Sequence, residues 1–204
     1  MQQCCDARTD VGYEEARVVL RTRATMLFAA VVIPIVRGND PAIVFVRRAE
    51  HLRRNPGQIA FPGGVIDVTD TCARDAALRE FEEELGLRRE RVEIFARLED
   101  VVTLALSVTV TPFVGTIDPP LDFAVDPNET ADVHEIPLCA IYEIGALHRG
   151  IEAVIHDGTR YDVPTWLFDH GGVHIWGATA RMLHALVVRY PTIDALTNAP
   201  LEMD

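Results

Sequence analysis

The segment Arg79-Glu80-Phe81-Glu82-Glu83-Glu84-Leu85-Gly86-Leu87 constrains this chain more than any other. Ala77, Leu78, Phe81 and Leu85 recur with the rhythm of a half-buried helix, and Gly86 can end it, so the pattern predicts a helix over Ala73–Leu85. At about 100° per residue, Glu80, Glu83 and Glu84 fall on one face and Glu82 points elsewhere. On a solvated helix such crowding costs only a few tenths of a kcal/mol, and an acidic face is an ordinary feature. Under a packed loop, two carboxylates ~5 Å apart repel by roughly 3 kcal/mol at an effective dielectric of ~20, and a counter-charge is required. Oxygen ligands without His or Cys select Mg2+ or Mn2+. Gly63-Gly64, just upstream, let the backbone come close to that face, and Gly63 offers a carbonyl as a further ligand.

The rest of the chain has the composition of an ordinary globular protein. Its 204 residues, 49% hydrophobic, suffice for one sizeable core, so one domain over 1–204 is expected, with 1–24 as an extension and 190–204 as a tail. The longest apolar run, Met26–Val36, is too short to span a bilayer and contains Pro34. The first residues lack the basic start and apolar core of a secretion signal, which points to the cytoplasm. Cys4, Cys5, Cys72 and Cys139 form neither a disulfide framework nor a zinc spacing. A net charge of −12 disfavours nucleic-acid binding, so an anionic substrate needs a local remedy. Two are present: a cation held by the glutamates, and the cluster Arg47, Arg48, Arg53 and Arg54, which otherwise reads as a solvated strand end and loop.

The organisation is α/β. Strands are expected at Thr25–Val36 and Ala42–Arg47, joined by the turn Gly38-Asn39-Asp40-Pro41, and again at Val92–Leu98 and Leu106–Ile117. Ile151–His156 and Tyr161–Phe168 read as a hairpin turning at Asp157-Gly158. A second helix is expected between Asn128 and Ile144, interrupted by Pro137, and a last one over Val173–Val188.

Gly64 to Leu87 resembles the Nudix box, G-x5-E-x7-R-E-U-x-E-E-x-G-U. Arg79 to Leu87 fits its second half throughout, whereas Asp70 stands where the pattern has Glu, and Gly64 to Arg79 is one residue longer. Asp70 is read either as a helix cap shared with Thr71 or as the residue that steadies Arg79. The preceding stretch, with Arg48, Ala49, Arg53, Gly57, Phe61, Pro62, Gly63 and Gly64 at matching intervals, is similar to the motif of the coenzyme A pyrophosphatase branch, and the likeness runs from Thr25 to Arg189.

The resemblance implies the Nudix fold, a mixed β-sheet sandwiched between α-helices, and metal-dependent hydrolysis of the diphosphate of coenzyme A or acyl-CoA. It implies Glu80, Glu83, Glu84 and Arg79 as catalytic residues, with Mg2+ or Mn2+ on Glu80, Glu83, Glu84 and Gly63. Arg79, facing away from the glutamates, would lock the box by pairing with a carboxylate, and Glu129 is an added candidate for taking a proton. Arg48, Arg53, Gly57 and Phe61 would bind substrate, while His51 and Trp176 are read as packing or orienting residues. The partner implied is a small molecule, with no nucleic acid or membrane, and homodimers are common in the fold. The alternatives are a Nudix hydrolase for ADP-ribose, an oxidised nucleotide or NADH, a noncatalytic binding module, and a structural domain with an acidic face.

Overall fold

The computed structural model describes residues 27–53, 55–103, 108–156 and 159–200. Its centre is β1 (Leu27–Val36), which lies parallel to β7 (Val108–Ile117) from Leu27 opposite Val108 to Val36 opposite Ile117. Beyond its first two residues, of which Phe28 is exposed, the apolar run is buried from Ala29 to Val36, as befits a strand covered on both sides. Ala29, Val31, Ile33 and Ile35 enter one core, and Ala30, Val32 and Val36 enter the other. The strand alternation thus divides the protein into two layers.

Around this pair the sheet is mixed. β2 (Ala42–Arg48) pairs antiparallel with the far end of β1, and β3 (Ile59–Ala60) extends the sheet beyond β2. β4 (Gly63–Val65) pairs with the early part of β1, where β2 has diverged. β5 (Glu93–Arg97) and β6 (Val101–Val102) pair with β7, and β8 (Thr130–Pro137) pairs with β2. The helix α1 (Ala73–Leu85) covers one face with Ala76, Ala77, Phe81 and Leu85, each 0% exposed. Gly86 ends it in the left-handed conformation (φ 67°), and its N–H returns to Glu82 O.

The opposite face carries the antiparallel sheet β9 (Leu147–His156), β10 (Thr159–His170) and β11 (Val173–Trp176), together with α3 (Gly177–Arg189). Leu183 and Leu186 of α3 pack with Phe168 and Ile175 against Ile33 and Phe45. No helix among the described residues is long and apolar enough to cross a membrane.

Several expectations need correction. Asn128–Ile144 is not a helix: Thr130–Pro137 is strand β8, followed by the four-residue helix α2 (Leu138–Ile141). Val133 and Ile136 enter opposite cores, which a strand permits, and pairing with β2 outweighs the local helical signal. The first four residues of the predicted last helix form β11, and the helix starts at Gly177, whose φ of 64° makes the bend from strand to helix. The predicted tail contains α4 (Ile193–Thr197), capped by Thr192 and anchored by the fully buried Leu196. β9 begins earlier than predicted, at Leu147. The expected extension 1–24 and the Asp157-Gly158 turn lie outside the described residues.

Gly63 holds the tightest crossing. With φ at 151°, a Cβ there would lie 2.3 Å from Ala30 O and 2.6 Å from Val31 Cα. We therefore expect Gly63→Ala to cost about 2–4 kcal/mol in urea unfolding. A change below about 0.5 kcal/mol, the range of surface substitutions, would show that β4 does not depend on this approach.

Candidate active site

The site forms where β4 passes over α1. A Cβ on Gly64 would sit 2.4 Å from the Glu80 carboxyl carbon, so a larger residue there would displace that carboxylate. The N–H of Gly63 donates to Glu84 Oε2 at 3.0 Å. Glu84 is only 4% exposed, and its other oxygen lies 3.9 Å from Arg48 Nη1. Glu80 is partly buried and Glu83 is exposed at the rim. Glu82 turns away to Arg89, as the helical spacing predicts.

Arg79 ties the box together. Its Nε and Nη2 donate to both oxygens of Asp70 at 2.9 and 3.0 Å, and its Nη1 donates to Glu80 and Glu83, each at 2.9 Å. The guanidinium therefore lies beside the glutamates, not away from them as the helical spacing suggested. Asp70 caps no helix. Cys72 is the capping position and makes no side-chain bond, while Asp75 accepts from Thr71. Asp70 is held in turn by the N–H of Asp67 at 2.7 Å, and Arg79 keeps its carboxyl below the usual carboxylate range.

The electrostatics separate the three glutamates. Burial, chiefly, pushes the Glu84 carboxyl up to about 7, with Glu80 and Glu129 adding to the rise against the Gly63 N–H and Arg48. Burial also raises Glu80, opposed by Arg79 and assisted by Glu83 and Glu129. Glu129, just before β8, is thus close enough for its charge to be felt by both. Its backbone O accepts from Ala49 N, which fixes it beside the end of β2.

The residues expected to bind substrate divide. Arg48 reaches the Glu84 carboxylate. Arg53 is exposed on the loop Ala49–Gln58, closed by Arg48 N to Gln58 O and Gly57 N to Arg48 O. Arg54 lies outside the described residues. Gly57 shapes the loop: its φ is 67°, and a Cβ would meet Glu50 at 2.5 Å. Phe61 must be reassigned, because it is 2% exposed and stacked on Phe45 with ring centroids 4.8 Å apart, leaving no face for a ligand. Sequence reading overlooked the link from Arg47 to His134, for which strand alternation was the available signal.

As they stand, no three acidic, His or Cys side chains among the described residues surround one point, and Arg79 bonds both Glu80 and Glu83. The donor chemistry nevertheless fits a hard divalent cation. All donors are oxygens, two are removed from water, and their charges raise one another.

A model of the NUDIX domain matches residues 26–153, and the chain belongs to the Nudix hydrolase family, enzymes that act on nucleoside diphosphate derivatives. Its relatives include a protein of Enterobacter sp. (strain 638) named as an uncharacterized Nudix hydrolase NudL, 38% identical over 79% of this chain and 81% of the relative. A protein of the same name from Escherichia coli O7:K1 is 37% identical over the same shares. The crystal structure of a MutT/nudix family protein from Enterococcus faecalis has the same fold, with a TM-score of 0.54 and 14% identity over 97% of this chain and 81% of that one.

The raised Glu84 carboxyl makes stability depend on pH. Between the ordinary value of 4.5 and about 7, the folded state holds a proton that the unfolded chain has lost. The burden is therefore absent below this window, grows as pH rises through it, and reaches about 3 kcal/mol above it. In chelator, the Tm should rise as pH falls from 8 to 5, and Glu84→Gln should flatten most of that slope. An unchanged slope in the mutant would place the titration elsewhere.

Proposed function

We propose that this enzyme hydrolyses the diphosphate of coenzyme A or acyl-CoA in the cytoplasm, giving 4′-phosphopantetheine or its acyl form and adenosine 3′,5′-bisphosphate. The observation that carries this reading is the placement of Arg48, 3.9 Å from Glu84, at the root of the closed loop that bears Arg53. A substrate whose diphosphate lies at the glutamates is then flanked by cations suited to its remaining phosphate. This local charge offsets the net charge of −12, which would otherwise repel a polyanion.

Glu80, Glu83, Glu84 and the Gly63 carbonyl are the proposed ligands of Mg2+ or Mn2+. When bound, such an ion neutralises charge on the phosphate oxygens and lowers the pKa of an attacking water. Arg79, fastened to Asp70, sets the spacing of Glu80 and Glu83. The Gly63 N–H fixes the orientation of Glu84. Arg48 steadies the phosphate next to Glu84, and Glu129, exposed and within electrostatic reach of both buried carboxylates, accepts the proton of the water.

Hydrolysis of coenzyme A in 18O-labelled water tests the reaction. The label should appear in adenosine 3′,5′-bisphosphate, because water attacks the phosphorus of the anchored half, where position is best fixed. Chelator should abolish turnover reversibly, and Glu84→Gln should lower kcat by at least about 100-fold. Label in phosphopantetheine alone would reverse the side of attack. Label in orthophosphate would mean a phosphatase, and near-normal turnover by Glu84→Gln at saturating metal would remove Glu84 from the ligand set.

A further inference from the structure

Strand β2 ends in two arginines, and successive strand side chains point to opposite faces. Arg48 is directed to the α1 face and Glu84. Arg47 is directed to the other, where its Nε and Nη2 both meet Nε2 of His134 at 3.3 Å. Guanidinium only donates, so the ring nitrogen is the acceptor in this contact. The pairing of β2 with β8 sets up the contact: Asp132 lies opposite Arg47, His134 lies opposite Phe45, and Ala131 is an extra residue before Thr130 meets Arg48. A bulge of this kind re-aims side chains near a site.

The charge balance on this face is unusual. Arg47 is half-buried, yet it meets the His134 ring and no carboxylate within ion-pair distance among the described residues. Asp132 approaches His134 at 3.7 Å, with its own side chain 61% exposed. A cation partly removed from water is normally paired with an anion, and a ring nitrogen supplies no negative charge. Among the described residues, three of the five N–H donors of Arg47 remain uncommitted, in a planar group whose geometry matches a phosphate. The same strand end carries Arg48 and opens into the loop that bears Arg53, so Arg47 stands on the reverse side of the candidate site's entrance.

We propose that Arg47, positioned by His134, binds a second anionic group of the substrate, a phosphate monoester, on the face of β2 opposite the glutamates. This rests on the reading above, in which the substrate is a nucleoside diphosphate derivative that carries such a group. Arg48 then stays with the diphosphate beside Glu84, and Arg47, from the other side of the strand end, adds to the loop's Arg53 in holding the remaining phosphate.

Calorimetric binding of adenosine 3′,5′-bisphosphate and of adenosine 5′-monophosphate to the full chain tests this, alongside hydrolysis of coenzyme A. Arg47→Ala should weaken the bisphosphate about 10- to 100-fold and the monophosphate less than about threefold, with Arg47→Lys between wild type and Ala. His134→Ala should lose part of the same selectivity, and His134→Gln, which keeps an acceptor for the guanidinium, should retain it. Thermal melting of each variant confirms that it is folded. Equal weakening of both nucleotides, or none, overturns the assignment of Arg47, and His134→Gln behaving like His134→Ala overturns the positioning role. If wild type cleaves coenzyme A while Arg47→Ala binds the bisphosphate normally, only the Arg47 assignment falls. If coenzyme A is not cleaved but the selectivity of Arg47 holds, only the choice of substrate falls.

Discussion

The close approach of a glycine strand to a helix that carries carboxylates is the constraint on which the rest depends. Gly63 and Gly64 place backbone where side chains would collide with β1 and with Glu80, and Glu84, which accepts from the Gly63 N–H, is sealed from water. Sealing a carboxylate has a cost that hydrogen bonding to Gly63 only partly offsets, which is why its proton is held up to about 7. The protein tolerates this because the helix is fixed by Ala76, Ala77, Phe81 and Leu85 against β1 and its neighbours. Stability supplied by the core thus holds a destabilised group in place, a common relation between a fold and its active site.

Arg79 distributes that burden. Its fork on Asp70 uses the rigid geometry for which guanidinium is suited, and the remaining nitrogen faces Glu80 and Glu83. A lysine at this place offers a single point of charge and holds neither carboxylate in a fixed plane. The loop Asp67–Asp70 is itself folded by its own side chains, with Asp67 Oδ1 accepting from the Thr69 N–H and hydroxyl. The pattern's Glu is therefore replaced by a shorter Asp on a turn that holds its carboxylate against the arginine.

The two layers have separate tasks. The α1 face carries the acidic centre, while the α3 face braces the strands from behind through a core that includes Phe45 and Phe61. The hydroxyl of Thr179 donates to Ile59 O at 3.2 Å, joining α3 to the strand that leads into the glycines. Because strand side chains alternate, the adjacent arginines of β2 serve different layers, and a single strand end presents cations on both sides.

The sequence by itself determined the box helix, its end at Gly86, the shared face of the three glutamates, and the central strands, since each rests on short-range periodicity and backbone preference. It also showed which residues identify the family. Longer contacts were decided by tertiary structure. Asp70 proved to hold Arg79 because the turn brings it there, Phe61 proved to be core because Phe45 covers it, and β8 became a strand because β2 offered an unpaired edge. Local pattern records what a segment can do in isolation. Which of Glu80, Glu83 and Glu84 is buried, and where Arg47 and Arg48 point relative to them, depends on neighbours distant in the chain, whose positions are set only when both cores close.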